Sequence, residues 1–489
     1  MNTEKETSVR TRQAWMLVVV LHALSMASGL AAQVPNPGEP FWSIAPHALT
    51  DHDLAHGSAE LYQPLLQVSD WTGNLVHWRL DAHGEPVTSD WNARSVMAER
   101  EAAISDYWKS RHIIFLDKAG NEGPFLWDSL SPAQQILLDN DTVGQQGPYA
   151  SPVLNYLRGD RSAEAYNGLR KRSSLLGDIM HSVPVHVGSP AGHYDKPPLR
   201  LASYSRFREQ HRDRKPRVYV GANDGMLHAF DAGTGEEAFA YIPSMIDYAR
   251  LARLAERGYR HAAFVDGALA AADVERDAGW ATLLAGGLGA GGKGLFVLDI
   301  THAGGGVVDR DERIIAELGP GDPDLGYISG APVFAMLEDK RWYLVSGNGS
   351  GSANARAVLY LIPLATDESL RQPDRIVIPD TASTGLASPA LIDSDGNGRA
   401  DCAYAGDQAG NLWKFDLARR HVEEQPLFSA GASRPIMLRP EVAEHPQTGH
   451  MVYVATGNGQ AGETLHNSGT QAITVAIPVN TLSAALNRV

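Results

Sequence analysis

Asp407-Gln-Ala-Gly410-Asn411-Leu412-Trp-Lys-Phe415-Asp416 is one of three versions of a single pattern in this 489-residue chain. The other two are Asp70-Trp-Thr-Gly73-Asn74-Leu75-Val-His-Trp78-Arg-Leu-Asp81 and Asn223-Asp224-Gly225-Met-Leu227-His-Ala-Phe230-Asp231. In each version, a tight turn of Asp, Asn or Gly leads into an apolar run that ends with an aromatic residue shortly before Asp. Apolar runs also precede two of the turns, as in Arg217-Val-Tyr-Val-Gly221 and Cys402-Ala-Tyr-Ala-Gly406. Apolar runs on both sides of a tight turn predict β-hairpins.

The hairpins belong to a longer repeat, because short runs containing Ser and Pro precede them and predict equivalent inner strands. Repeats at a spacing of about 40–60 residues, each a small antiparallel sheet, are typical of a β-propeller, whose blades bury one another's faces. We therefore expect a mainly β fold, a modified β-propeller of about seven blades with PQQ-like repeats and helical insertions. The Ser- and Pro-containing runs are Ser182-Val-Pro-Val-His186, Ser329-Gly-Ala-Pro-Val333 and Ala387-Ser-Pro-Ala-Leu391.

The chain divides into four predicted parts. Arg10 and Arg12 precede a short apolar run that ends in small residues, so residues 1–32 are predicted to be a signal peptide, with an uncleaved anchor as the alternative. Residues 33–91 form an N-terminal strand region related to a blade, and residues 92–175 form a helical insertion. Helix starts are predicted at Ser131-Pro132 and Ser151-Pro152, and the second of these helices should stop at Gly159.

The fourth part, residues 176–489, is the predicted propeller. A further short helix is expected within residues 244–257. The tail after Gly459 lacks the aromatic residue that ends the other blades, so truncation of the last blade stays open.

Composition narrows the classes of partner. The formal net charge of −15 disfavours nucleic acids and anionic membrane surfaces, both of which bind basic patches. Cys402 is the only cysteine, so no internal disulfide can form even after export. The thiol is predicted to be a buried strand residue rather than a nucleophile.

Asp393-Ser-Asp395-Gly-Asn397-Gly398-Arg399-Ala-Asp401 is the strongest candidate for chemistry. Its oxygen-bearing side chains alternate with small residues as in the first half of an EF-hand loop, where the carbonyl at position 7 also binds calcium. Position 12 is Tyr404, which has no carboxylate, so the loop is not a helix–loop–helix sensor. We predict a compact Ca²⁺ site that Asp401 closes, with a metal-free Asp/Gly/Asn-rich turn as the alternative.

Several motifs in a fixed order resemble the PilC/PilY family of type IV pilus assembly factors and tip-associated adhesins. The resemblance spans roughly residues 71–459, although the long N-terminal region of the family is not expected here because the propeller-related part follows the signal peptide almost at once. The motifs are Leu176-Gly-Asp-Ile-Met-His-Ser-Val-Pro184, Val218-Tyr-Val-Gly-Ala-Asn-Asp-Gly225, Phe264-Val-Asp-Gly267, Gly291-Gly-Lys-Gly-Leu-Phe-Val-Leu-Asp299, the loop at residues 393–401, and Tyr404-Ala-Gly-Asp-Gln-Ala-Gly-Asn-Leu-Trp413.

The resemblance implies a calcium-dependent factor that regulates pilus extension against retraction, and hence twitching motility and cell adhesion. It implies that the protein acts in the periplasm, the outer membrane or the pilus tip, with pilins, minor pilins and the assembly machinery as partners. A host-cell receptor is a further candidate partner. The ligands that it implies are Asp393, Asp395, Asn397, the carbonyl of Arg399, and Asp401.

The main rival is an enzyme, a periplasmic quinoprotein dehydrogenase, because those enzymes are calcium-containing propellers with turns like Asp231-Ala-Gly-Thr-Gly235. Many of them carry a vicinal cysteine pair, which a chain with one cysteine cannot form. A second rival is an integrin-like propeller, but its calcium loops should recur in several blades. We therefore predict a binding and assembly protein rather than an enzyme.

Three further patterns invite functional interpretations that the sequence does not support. The run from Gly287 to Lys293 resembles a P-loop but lacks the following Ser or Thr and precedes a predicted strand. His261 and Asp266 lie close together in sequence, but no nucleophile is evident beside them. Arg158-Gly159-Asp160 is an integrin-type tripeptide, for which a helix end at Gly159 is the favoured interpretation and integrin binding stays open.

Overall fold

The computed structural model describes residues 48–49, 59–456 and 473–478, except for residues 82, 165–167, 303–311, 369, 371, 380–382 and 446–448. The predicted signal peptide at residues 1–32 lies outside these residues, as do residues 457–472 and 479–489, on which the completeness of the last blade depends. No helix in the described part of the chain is long and apolar enough to cross a membrane.

Six sheets follow one another along the described chain, against about seven expected blades. We number them as blades 1 to 6. Blade 1 contains β1 (Ala48–Leu49), β2 (Glu60–Gln67), β3 (Thr72–Leu80) and β4 (Pro86–Asn92). Blade 2 contains β5 (Ile113–Leu116), β6 (Glu122–Pro124), β7 (Val185–Val187), β8 (Arg217–Gly221), β9 (Leu227–Asp231) and β10 (Glu237–Tyr241). Blade 3 contains β11 (Leu269–Arg276), β12 (Gly279–Gly287), β13 (Leu295–Asp299) and β14 (Arg313–Leu318).

The remaining strands form blades 4, 5 and 6, with four, five and three strands. Blade 4 contains β15 (Val333–Met336), β16 (Trp342–Gly347), β17 (Val358–Pro363) and β18 (Asp374–Val377). Blade 5 contains β19 (Ala390–Ile392), β20 (Cys402–Gly406), β21 (Asn411–Asp416), β22 (His421–Val422) and β23 (Phe428–Ser429). Blade 6 contains β24 (Glu441–His445), β25 (Gly449–Thr456) and β26 (Ile473–Pro478). The three predicted hairpins correspond to β2–β3, β8–β9 and β20–β21, and all three pair antiparallel as expected.

Each of blades 2 to 5 packs between the blade before it and the blade after it, because side chains alternate across a strand. In β13, Phe296 and Leu298 enter a core shared with blade 2, whereas Leu295 and Val297 enter a core shared with blade 4. A continuous apolar strand therefore contributes side chains to both of the cores that flank its blade. The mainly β architecture predicted from the hairpin repeats is confirmed.

In blades 2 to 5, the joint to the following blade depends on a glycine that ends one strand. A Cβ placed on Gly406 would lie 2.3 Å from the carbonyl oxygen of Ile436, which belongs to the segment leading into the next blade. Because backbone atoms occupy that space, no side chain can fit there. The strands β8, β12 and β16 end in the same way, with Gly221 against Val265, Gly287 against Ile328, and Gly347 against Ala387.

The insertion between blades 1 and 2 combines helices with two strands. The capping-box helix starts at Ser131 and the other predicted helix ends at Gly159, both as predicted. The insertion also supplies β5 and β6, and β5 pairs in parallel with β10 at the outer edge of blade 2. This pairing covers an edge that would otherwise be open to strand addition. The helices are α1 (Ala93–Ala103), α2 (Tyr107–Ser110), α3 (Pro132–Asp139), α4 (Pro152–Arg158), α5 (Ser203–Gln210) and α6 (Tyr248–Ala252), of which α5 and α6 follow the insertion.

Candidate metal centre and neighbouring charge networks

The predicted calcium loop joins β19 to β20, the first and second strands of blade 5. Its ends are held by a hydrogen bond from the Asp401 N–H to the Ile392 carbonyl (3.0 Å), and the Ala400 N–H donates to the Met336 carbonyl in blade 4 (2.8 Å). Gly398 adopts a φ of +87°, as the sharp turn requires. The loop is therefore a turn anchored on strands of two blades.

Carboxylates organise the backbone of this turn. The two oxygens of Asp393 accept the N–H groups of Asn397 (3.0 Å) and Gly398 (2.6 Å). Asp395 accepts the Asn397 N–H (3.1 Å), and Asp401 accepts the Ser394 hydroxyl (2.6 Å). The predicted ligands thus lie on one tight turn, although in the structure the carboxylate of Asp393 faces backbone donors rather than the other carboxylates.

Glu338, from the turn between β15 and β16 of blade 4, completes the cluster. Oxygens of Glu338, Asp395 and Asp401 all lie within 4.8 Å of one another. The amide nitrogen of Asn397 donates to both Glu338 Oε1 (2.9 Å) and Asp395 Oδ2 (2.9 Å), so its nitrogen rather than its oxygen faces these carboxylates. Sequence reasoning missed Glu338 because only the packing of blade 4 on blade 5 brings it to the loop.

The electrostatics of this cluster favour a cation. Like unit charges at 4 Å repel by about 1 kcal/mol in water and about 4 kcal/mol at an effective dielectric constant of 20. The guanidinium of Arg399 approaches Glu338 at 3.4 Å, which offsets part of this repulsion. Carboxylate, amide and carbonyl oxygens are the ligands that Ca²⁺ prefers, at variable coordination number. The donor set therefore fits Ca²⁺, with Glu338 as a candidate for the carboxylate that position 12 does not supply.

A second charged cluster lies buried in blade 2. Arg111, which follows α2, donates to both oxygens of Glu237 (2.7 and 2.8 Å), and both side chains are only 2% exposed. The imidazole of His228 bonds to Glu237 (2.8 Å) and to Asp224 (3.1 Å). Two cations and two carboxylates therefore neutralise one another inside the protein.

Proton affinities in this cluster follow from the pairing. Burial opposes the charge on His228, but the carboxylates of Asp224 and Glu237 outweigh that effect and raise the pKa of His228 to about 9. Burial also opposes the charge on Glu237, and Arg111 and His228 together hold its pKa far below the usual range. The network is therefore fully charged at neutral pH.

Two imidazole–carboxylate bridges join the segments that lead into blades 2 and 3. His181 Nδ1 lies 2.6 Å from Asp266, and this hydrogen bond raises the pKa of His181. His261 Nε2 lies 2.8 Å from Asp178 and not against Asp266, its neighbour in sequence. Within the described residues no Ser, Thr or Cys side chain hydrogen-bonds to either imidazole. The bridges tie the two segments together, and His261 and Asp266, which are close in sequence, do not pair with each other in the structure.

The integrin-type tripeptide is not presented at the surface. Arg158 is 2% exposed, and its guanidinium donates to the carbonyls of Phe125 (2.9 Å) and Arg111 (2.9 Å), as well as to two further carbonyls. Burial and the nearby charge of Arg111 lower the pKa of Arg158 to about 10. Gly159 ends α4 at a φ of +119°, so the favoured interpretation of the tripeptide as a helix end is confirmed. In the folded protein the guanidinium of this arginine is occupied by backbone carbonyls.

Lys293 and Cys402 have structural surroundings. Lys293 donates to the Gly351 carbonyl (2.6 Å), and the strand β13 follows it, so no helix N-terminus faces the P-loop-like glycines. The Cys402 thiol is buried in β20, and burial raises its pKa to about 11. A protonated buried thiol is a poor nucleophile, in line with the prediction.

Comparison with known proteins gives consistent matches. Residues 176–439 match the PilY1 beta-propeller domain family. The chain is 36% identical over 434 residues to the type IV pilus biogenesis factor PilY1 of Pseudomonas aeruginosa strain PAK, covering 79% of this chain and 36% of that protein. It is 34% identical over 422 residues to a PilY1 homolog of Xylella fastidiosa strain Temecula1, covering 84% of this chain and 32% of that protein.

A solved structure is also similar. The crystal structure of the Pseudomonas aeruginosa PilY1 C-terminal domain matches with a TM-score of 0.51 and 34% identity, over 61% of this chain and 64% of that one. The chain thus spans about a third of the length of the curated relatives that it matches.

Proposed function

Because the chain belongs to the PilY1 beta-propeller family, we propose that it is a type IV pilus biogenesis factor whose propeller binds Ca²⁺ at residues 393–401. The resemblance predicted from the ordered motifs is confirmed by this membership, and so is the propeller fold. The observation that carries the functional proposal is the match to relatives named as type IV pilus biogenesis factors over most of this chain.

The proposal extends to partners and location. A pilus biogenesis factor works with pilins, minor pilins or the assembly machinery in the cell envelope, and we place this protein there. The names of its relatives support a role in assembly rather than the quinoprotein alternative. Calcium occupancy would regulate pilus extension against retraction.

The chemistry of the loop supports the calcium part of the proposal. Asp393, Asp395, Asn397, the Arg399 carbonyl and Asp401 would hold the cation, in the order of an EF-hand loop. Glu338 would add a carboxylate from blade 4. Coordination by Asn397 would require its amide to turn, because its nitrogen faces the carboxylates in the structure.

Direct binding tests the site. We expect titration calorimetry to show one Ca²⁺ bound with a Kd on the order of micromolar, within the range of sensor loops. Asp393→Ala and Asp401→Ala should each abolish binding, whereas Glu424→Ala, at an exposed acidic residue of the same blade that lies outside the loop, should preserve it. Unchanged binding in both loop variants would remove calcium from the proposal.

A cellular experiment tests the assembly role. A deletion strain is complemented with the wild type, Asp393→Ala or Asp401→Lys, which places a permanent cation at a ligand position, and surface piliation and twitching are measured. We expect the deletion to reduce piliation and the wild type to restore it. Equal rescue by all three versions would show that calcium does not gate the protein, and a deletion without a pilus defect would refute the assembly role.

A further inference from the structure

A long arm of blade 2 reaches the candidate calcium loop of blade 5. The arm comprises residues 188–216, which join β7 to β8 and contain α5. The turns between β11 and β12, β15 and β16, and β19 and β20 join the same pair of strands in blades 3, 4 and 5. The arm therefore lies along the face of the propeller that carries these turns, including the calcium loop.

The base of the arm is fixed to blades 3 and 4. Tyr204 is fully buried and donates its hydroxyl to Asp273 of β11 (2.6 Å). Tyr194 stacks on Trp280 of β12 (centroids 5.5 Å apart) and meets Trp342 of β16 edge-on (5.2 Å). Partly buried aromatic contacts and a buried hydrogen bond hold this part independently of the candidate calcium loop.

The tip of the arm, residues 196–200, has weaker support. Pro197, Pro198 and Arg200 are exposed, whereas Leu199 is partly buried and packs at the edge of the core shared by blades 3 and 4. A Cβ placed on Gly398 would lie 2.7 Å from Leu199 Cγ and 2.9 Å from Pro198 Cγ, so the tip rests directly on the backbone of the calcium loop. Gly398 lies between Asn397 and Arg399, two of the predicted ligand positions.

We propose that Ca²⁺ binding latches the tip of the arm onto the propeller. This inference rests on the proposed calcium site and adds a conformational output to it. Ligation of Asn397 and of the Arg399 carbonyl fixes the backbone on both sides of Gly398, which is the surface that Leu199 and Pro198 contact. Without the cation, repulsion among Glu338, Asp395 and Asp401 loosens that surface.

The latch makes a reciprocal prediction. If calcium favours the docked tip, then the docked tip must favour calcium by the same factor. A change at the tip, which carries no predicted ligand, should therefore weaken calcium binding. A tip that docks equally well with and without the cation would show no such coupling.

Amide hydrogen exchange measured on the wild-type protein, with Ca²⁺ and with chelator, tests the latch directly. The N–H groups of Arg200 and Leu201 donate to the carbonyls of Lys196 (2.9 Å) and Tyr194 (2.7 Å) and report on the tip. We expect them to exchange about tenfold more slowly with Ca²⁺, within the usual range of coupling between sites. The amides of His211 and Arg214 at the base, which donate to the carbonyls of Phe207 and His211, should not change.

Calcium titration of Leu199→Ala is the second test. We expect its Kd to rise about tenfold, with the matched control Val87→Ala, an exposed residue of blade 1, at the wild-type value. Normal calcium binding with unchanged tip exchange in the wild type would overturn the latch and leave the calcium site standing. Absence of calcium binding would overturn both. Unchanged base amides in Leu199→Ala would show that the variant is folded.

Discussion

The carboxylate clusters of blades 2 and 5 differ in where their compensating charge comes from. In blade 2, Asp224 and Glu237 have Arg111 and His228 within hydrogen-bonding distance, and the cluster is closed to solvent except at Asp224, which is 15% exposed. In blade 5, Asp395 and Asp401 meet a third carboxylate, Glu338, and one partly exposed arginine. The first cluster is complete within the chain, whereas the second gains from an added cation.

This difference separates a structural network from a candidate site. A buried network that balances its own charges fixes one conformation, and removal of a member leaves an unpaired charge. A cluster of like charges near the surface is sensitive to the cations present in solution. Substitutions and conditions that affect one cluster and not the other therefore test the comparison.

The largest effect is expected from Arg111→Met. It leaves the carboxylate of Glu237 buried beside only one cation, and breaking a buried pair in this way costs about 3–5 kcal/mol. The measurement is the free energy of unfolding by urea. Arg79→Met is the control, because Arg79 is 61% exposed and its pair with Asp90 should contribute less than about 1 kcal/mol. Equal losses in the two variants would contradict the assignment of Arg111.

The next largest effect is the change in the free energy of unfolding with pH that His228 causes. Its pKa in the folded protein, about 9, lies above the unfolded value of about 6.5, so the stability it contributes is fully present below pH 6.5 and is lost as pH rises through 9. The pKa difference corresponds to about 3 kcal/mol. Urea unfolding between pH 6 and 10 should show this decline, and His228→Gln should flatten it. A wild-type profile as flat as that of the variant would disprove the linkage.

Calcium bound at the blade 5 cluster should raise the free energy of unfolding by slightly less than the His228 effect. A ligand that binds only the folded state at a hundredfold excess over its Kd adds about 2.7 kcal/mol. The unfolding midpoint of the wild type should therefore fall on addition of chelator, whereas that of Asp401→Ala should not respond. An unfolding midpoint of the wild type that is indifferent to chelator would argue against a folded-state calcium site.

The smallest effect tests the carboxylate that comes from blade 4. Glu338→Gln should weaken calcium binding about tenfold, or by about 1.4 kcal/mol, because it removes one negative charge from the ligand set. Asp339→Asn is the matched control, since Asp339 is adjacent in sequence but accepts a hydrogen bond from Tyr343 (2.6 Å) instead of joining the cluster. Calorimetry that finds the same Kd for both variants would exclude Glu338 as a ligand.

Local patterns predicted the features that neighbouring residues determine. The turn at Asp407 gives a hairpin because the carboxylate accepts the Asn411 N–H and the Trp413 indole N–H, all within seven residues. The helix starts at Ser131 and Ser151 follow from capping chemistry that needs only the next three residues. The order of residues 393–401 predicts a calcium loop for the same reason.

Contacts between distant segments could not be predicted in this way. Glu338 meets the candidate calcium loop only because blades 4 and 5 pack against each other. His261 likewise pairs with Asp178, which is distant from it in the sequence. The run Ile113–Leu116 is too short for its periodicity to distinguish a strand from a helix, so the two-strand extension of blade 2 was missed. The sequence of the arm also contains no local pattern that predicts which residues its tip contacts.

The glycines that end β8, β12 and β20 also imply a direction of assembly. Gly221, Gly287 and Gly406 are each covered by backbone from the following blade and not from the preceding one. A blade therefore receives its final neighbour only after the next segment of the chain has arrived. In a polypeptide that folds from its N-terminus as it is synthesised, these joints would form one after another along the chain, and each newly folded blade would wait for the one that follows it.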